Sequence, residues 1–510
     1  MKKYITATVI LLTVIIIAAA VIIGITGAGD NNGASFSTSE STTASGQKPN
    51  VHTHDFNGTL VCVCGEAMEM RDYFILRLNY DDTYSIISCR KPYSHMVIPS
   101  EYRGRKISTV KSSAFKFRGI ECIEIPESIS VVEDGAFSNC SDLREVRLPD
   151  NLKTIETNMF SNCQKLESVI LPEGLETIER NAFENCKSLK NIVIPESLAL
   201  LEDGAFCGCD ALEVTVHPDH PKYYVKGNCI IDTDTASVVF ANALSVIPTD
   251  GSVTSIGNYA FSGMAGIEVL ELPGAVTSIG VSAFARCPDL REAIIPDGTV
   301  KIGDGAFFEC ANLTKVTIPN SVTEIGDSTF ARCPGLREVI IPSGTVKIGG
   351  GVFAECVNLV KVTIPDSVTE IGGSMFYGCE KLTDVVLSSG IKEIPNAMFV
   401  YCANLRNISL PDGLESIDTS AFAECGKLEK ITLPDGILYV DDGAFADCVS
   451  LTEVNIPSGA EVYGQAFGGC VNLVKINYGG TVEEWEKDMK NGIGIACTVY
   501  CKDGEIKLEK

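Results

Sequence analysis

The sequence predicts a mainly β repeat solenoid with terminal caps, preceded by a transmembrane helix. Three observations carry this. Phe recurs every 23 residues through most of the chain, and Cys follows it three positions later in 13 of 15 registers. An uncharged, almost wholly apolar run of 21 residues, Ile5 to Ile25, stands directly behind Lys2 and Lys3.

The Phe series runs Phe137, Phe160, Phe183 and Phe206, then from Phe261 to Phe445 in steps of 23, and Phe115 and Phe467 extend it by steps of 22. The unit reads A-F-x-x-C-x-x-L-x-x-[VI]-x-[IL]-P-x-[SG]-[VL]-x-x-I-x-x-x. A fixed period in this range is the signature of a solenoid, because one such unit cannot bury its own apolar face and stacked units can. Residues 285–330 and 331–376 agree at 35 of 46 positions, so two repeat flavours alternate here by duplication. In the unit from Leu336 to Ile341, alternation directs Val339 and Ile341 inward and Glu338 and Ile340 outward. Leu336 reaches the core from the preceding turn. Pro342, lacking an amide proton, ends that strand. Val346 and Ile348 form a second short apolar pair. Each rung is therefore expected to hold two short strands, turns and little helix.

Taken from the N-terminus, residues 1–29 are the predicted anchor or signal segment. A bilayer core needs about 20 apolar residues, whereas a cleaved signal has an apolar region of about 7–15. The length predicts an uncleaved single-pass anchor in the cell membrane. Lys2 and Lys3, with no later span, place the repeat domain outside, and cleavage near Ala28 would make the protein secreted. Residues 30–50 are Ser/Thr/Gly-rich and predict a flexible spacer. Residues 51–71 hold His52, His54, Cys62 and Cys64, which could supply four tetrahedral zinc ligands. Their H-x-H…C-x-C spacing is not the usual C-x₂-C, and ordinary loop chemistry explains it equally well.

Residues 72–110 are expected to form an N-terminal cap and opening repeat, with Tyr73 to Lys91 as a hairpin over the first rung. Residues 111–475 are the solenoid. Its period breaks once, where Phe206 to Phe261 spans 55 residues, and the extra piece, about 217–248, predicts a hairpin protruding from the stack with His217 and His220 at its base. Residues 476–510 close the other end, with Trp485 on a short helix and a strand through Thr498 and Tyr500.

With 66 acidic and 41 basic residues the net charge is −25, which argues against nucleic acid, since that partner needs a basic footprint. The 21 Cys do not read as a disulfide framework. One Cys per rung gives a column of parallel Cβ vectors about 4.8 Å apart, while a disulfide prefers about 3.8 Å and a χ3 near 90°. A packed thiol column bonding turn carbonyls is expected instead. Five His, no Gly-rich phosphate loop, no nucleophile elbow and no recurring oxygen-ligand loop leave no catalytic constellation, and no cofactor beyond the zinc considered above.

Two outward columns are candidate partner contacts. Glu292, Lys315, Glu338 and Lys361 alternate in sign, and Ile294, Thr317, Ile340 and Thr363 alternate apolar with hydroxyl. A cross-rung charge ladder, at about 0.2–1 kcal/mol per pair, and β-propensity account for these columns without a partner. A long sheet face mixing Ile with Thr is also what a partner-binding solenoid presents.

The unit A-F-x-x-C-x-x-L-x-x-V-x-I-P resembles the BspA-type leucine-rich repeat of bacterial and protist surface proteins. "VIPSEYRGRKISTVKSSAF" is similar to that family's opening repeat and "YGGTVEEWEKD…TVYCKDGEI" to its closing cap, so the resemblance covers about residues 72–510. It departs from the general leucine-rich repeat, in which Asn or Cys follows the strand; here Cys140 and its fellows precede it. The resemblance implies a right-handed leucine-rich repeat solenoid and an exported or surface interaction protein, similar to adhesins in some relatives, with no catalytic residues. The expected function is extracellular, membrane-anchored and non-catalytic: a monomeric solenoid binding a protein or glycan ligand at the cell surface. Two other readings stand beside it, a structural wall-spacing protein and a metal-binding or sensing module built on His52, His54, Cys62 and Cys64.

Overall fold

A computed structural model describes residues 73–92, 94–490 and 495–508. Most 23-residue units form one rung with a corner and two short strands; the rung of Phe399 keeps only the second. In the rung of Phe330 the first strand is Glu338–Ile340 and the second Lys347–Ile348. They pair in parallel with Lys361–Thr363 and Glu370–Ile371 of the next rung, Glu338 opposite Lys361 and Lys347 opposite Glu370.

The corner explains why the period centres on Phe. The residue two places after each of the fifteen Phe registers, from Phe117 to Gly469, is left-handed, as is the residue two places before most of them. Asn139, Asn162, Asn185, Gly208 and Gly263 suit that conformation, but Arg286, Glu309, Arg332 and Tyr401 adopt it too. Rung-to-rung hydrogen bonds hold them there. Ser328 N donates to Gly350 O at 2.7 Å, Phe330 N to Val352 O at 2.9 Å and Arg332 N to Ala354 O at 2.8 Å. The Phe rings stack inside the corner, for example Phe330 on Phe353 at 5.8 Å and 7°.

The thirteen register cysteines are buried, free thiols. Each donates to the carbonyl of the preceding rung's Phe: Cys333 Sγ to Phe307 O at 3.2 Å, Cys356 Sγ to Phe330 O at 3.1 Å. Burial pushes the Cys140 thiol up to about 11 and that of Cys356 to about 12, so these two stay protonated donors and poor nucleophiles. Leu336, Val339 and Ile341 fill the core beside them. The second inward pair is not Val346 with Ile348. Val346 is 45% exposed and Thr345 is buried in its place. Thr345 N bonds Pro342 O, which turns its side chain inward, and its hydroxyl donates to Val322 O at 3.1 Å.

The first strands form ladders of six (His95–Val97 to Glu213–Val216), three (Val269–Glu271 to Lys315–Thr317), three (Glu338–Ile340 to Asp384–Val386) and five strands (Lys430–Thr432 to Glu505–Lys507). The second strands run as three from Thr154–Ile155, six from Ser255–Ile256 to Glu370–Ile371 in a nine-stranded sheet completed by the inserted unit, and five from Glu393–Ile394. The interruption is no protruding hairpin. Tyr223–Lys226, Cys229–Asp232 and Ser237–Phe240 form an antiparallel unit that pairs in parallel with Ser255–Ile256. Cys229–Asp232 is buried throughout, because the stack covers both its faces. The corner runs on beneath it, with Cys207 Sγ donating to Ser262 O at 2.9 Å. His220 Nδ1 accepts from Lys222 N and Tyr223 N at 3.1 and 3.0 Å, and Tyr223 OH accepts from Leu201 N at 3.1 Å.

At the N-terminal end Phe74–Leu78 and Tyr84–Cys89 form a hairpin whose Phe74 ring meets Phe115 edge-on at 6.1 Å. At the other end helix α1 (Val482–Asp488) starts at a capping box of Thr481 and Glu484 and buries Trp485. The transmembrane helix is corrected: among the described residues no helix is long and apolar enough to cross a membrane. Ile5 to Ile25 lies outside the described residues. The fold is the capped solenoid, and the expectations built on a span, namely the single-pass anchor, the membrane partner and the cell-membrane location, are withdrawn with it.

Candidate interaction face

The outward residues of the first strands form the candidate face. Their order follows the ladder, because side chains on parallel rungs meet only where the backbones pair. Glu292 pairs with Lys315, and Lys361 with Asp384 at 3.8 Å. Between these pairs the alternation fails. Strands Lys315–Thr317 and Glu338–Ile340 are not hydrogen-bonded to each other, and no ion pair joins Lys315 to Glu338 among the described residues. The second strands and the corner carry their own ladders: Lys301–Glu324 at 3.0 Å, Arg286–Glu309 at 3.0 Å, Glu309–Arg332 at 3.0 Å and Arg332–Glu355 at 3.1 Å. Such exposed pairs each contribute little. They show that much of the surface charge is matched within the chain.

The apolar column divides unevenly. Ile340 is 75% and Val386 50% exposed, while Ile294 is only half-buried and thus a weaker contact than the alternation suggested. Thr317 and Thr363 are exposed between them. The most exposed aliphatic in this column lies elsewhere: Ile170, at 85%, beside Val193 at 60%, on the six-stranded ladder. Sequence reasoning passed over this pair, although both residues hold the same register, ten after Phe160 and Phe183.

His52, His54, Cys62 and Cys64 lie outside the described residues. The described residues hold one other group of chelating type, Asp134, Glu156 and Glu179, on the corner side of three successive rungs. Burial and then the facing Glu179 raise the Glu156 carboxyl to about 7. Like charges crowd there, and among the described residues no Lys or Arg pairs with any of the three.

No curated protein matches this chain. Among solved structures, a leucine-rich repeat protein from Bacteroides ovatus is 25% identical, with TM-score 0.46, covering 84% of this chain and 98% of that one. A leucine rich cell surface protein from Faecalibacterium prausnitzii is 25% identical, with TM-score 0.41, over 82% of this chain and 97% of that one. A leucine-rich repeat protein from Eubacterium ventriosum is 20% identical, with TM-score 0.47, over 69% and 92%. The family described as BspA type leucine rich repeat region matches residues 108–229, 254–383 and 369–491, well over half of the chain. With its Phe corners, thiol column and paired short strands on the page, the chain belongs to the BspA-type leucine-rich repeat family.

Proposed function

We propose that this protein is an adhesin-like binding solenoid whose partner, a protein or glycan, docks on the outward face of the first strands around residues 285–390. The chain is not an enzyme: its family's solenoid is that of non-catalytic structural and adhesin proteins. Within the face, Glu292, Ile294, Lys315, Thr317, Glu338, Ile340, Lys361 and Thr363 are the proposed contacts. The observation that carries the reading is Ile340, three-quarters exposed on a strand whose Val339 and neighbouring Ile341 fill the core. A large aliphatic held outward by a rigid ladder gains nothing for the fold and is a suitable anchor for a partner, and few anchors dominate such interfaces.

The test is capture by the full chain from panels of matrix proteins, glycans and cell-wall fragments, followed by affinity measurement with Ile340→Lys. The variant should unfold at the wild-type temperature and weaken the captured partner by about 2 kcal/mol or more. Unchanged affinity would remove this face from the binding site.

A further inference from the structure

Where the first-strand ladder stops after Asp384–Val386, a cleft of about 820 Å³ opens between that strand and Asn407–Gly413. The opening is confined to one face. At the corner the same two rungs remain closed: Phe376 and Phe399 stack at 5.4 Å, Phe376 N donates to Met398 O at 2.9 Å, and Gly378 N to Val400 O at 2.8 Å. One rung earlier the ladder is intact, with Lys361–Thr363 paired to Asp384–Val386 and Ile364 N bonded to Val386 O at 2.9 Å. Among the described residues the equivalent bond, Leu387 N to Ser409 O, is not made, nor is any other backbone bond across the cleft. Asn407 to Leu410 form no strand.

The side chains tell the same story. Val362 and Ile364, and Ile431 and Leu433, are buried to 3% exposure or less. Ile408 and Leu410 hold the same registers and are partly exposed. The sequence marks the place as well. In the thirteen registers from Pro149 to Pro457, the position twelve after Phe is Pro in all but one, and the exception is Ser388. Its buried hydroxyl donates to Val368 O at 2.7 Å and accepts from Gly390 N at 3.0 Å, next to the end of the cleft wall. The rim carries Asp384 and Asp412, and no Lys, Arg or His lines the cleft.

We infer that this cleft is a strand-docking site, which takes one extended segment of a partner polypeptide that carries a basic side chain. The inference rests on the binding reading above and names its partner's chemistry. Two open backbone edges need N–H and C=O groups repeating at strand spacing, and an extended peptide supplies them. Ile408 and Leu410 on one wall and Val385 and Leu387 on the other, all at inward positions, accept alternate apolar side chains of that segment. Asp412, exposed at the rim, favours a Lys or Arg between these, with Asp384, which Lys361 already meets at 3.8 Å, as a second acceptor, in a chain whose net charge is −25.

The probe is a fluorescent ten-residue peptide alternating Val and Lys, titrated by anisotropy into the full chain. Binding should saturate. A peptide with Glu for Lys, one with N-methylated alternate amides, and one of scrambled order should each bind at least tenfold more weakly. Asp412→Lys, an exposed change, should weaken the Val/Lys peptide about tenfold without moving the unfolding midpoint. Ser409→Pro, which removes a cleft-edge amide, should do the same, with hydrogen exchange confirming an intact Phe399 corner. Equal binding of the N-methylated or scrambled peptides, no saturation, or binding of oligosaccharides but not of the peptide would overturn the inference. None of these results touches the broader reading, which stands or falls on Ile340→Lys with the captured partner.

Discussion

A thiol that donates to a carbonyl one rung away and a carboxylate that faces another carboxylate show how the period acts at the residue scale. Repetition places identical groups in line. For Cys333 this is favourable, because the line also contains the Phe307 carbonyl that accepts its proton. For Glu156 it is unfavourable, because burial and then Glu179 next in the line both oppose its charge. The folded carboxyl of Glu156 is raised from 4.5 to about 7. Its stabilising contribution is therefore fully present below about pH 4.5, where it is protonated in both states, and is lost as pH rises through about 7. Glu156→Gln should raise the thermal midpoint at pH 8 and leave it unchanged at pH 4. An equal shift at both pH values would show that charge repulsion is not the cause.

At the scale of the element, the inserted unit is the test of how the stack tolerates an interruption. Its strand-turn-strand pattern was legible in "VKGNCIIDTDTASVVF", but that pattern does not say what covers the second face. The structure covers it from both sides. Phe240 meets Phe206 edge-on at 5.5 Å, at the end of the ring stack that runs from Phe115 to Phe206. Phe240→Ala should cost about 3–5 kcal/mol, as for an aromatic lost from a packed core, and should remove hydrogen-exchange protection from Ser237–Phe240 and Ser255–Ile256. A protruding hairpin would lose almost nothing. His220 adds a pH dependence to the same element. Its Nδ1 accepts two backbone N–H groups and burial lowers its pKa, so the stability it contributes is present above 6.5 and lost as pH falls through the folded value.

At the scale of the whole molecule, stability in a solenoid is a sum of rungs and interfaces, and the ends are the weak terms. Trp485, 3% exposed and edge-on to Tyr478 at 5.2 Å, closes the C-terminal end. Trp485→Ala should cost about 3–5 kcal/mol locally. Exchange protection should fall first over residues 453–508 and leave 285–390 unchanged. A uniform loss along the chain would mean that the stack unfolds as one unit.

The sequence by itself determined the period, the inward and outward residues of the first strand, the unpaired thiols and the family, because each follows from local alternation repeated fifteen times. Tertiary structure alone decided the rest. The left-handed corners bear Arg, Glu and Tyr as well as Gly and Asn, so composition could not show them; hydrogen bonds between rungs impose them. Thr345 rather than Val346 turns inward because a turn bond at Pro342 sets the register. Which rungs stay paired on the first face depends on how successive rungs splay away from a closed corner. That is a property of the stack and of no single repeat, and it places the open cleft beside Ser388.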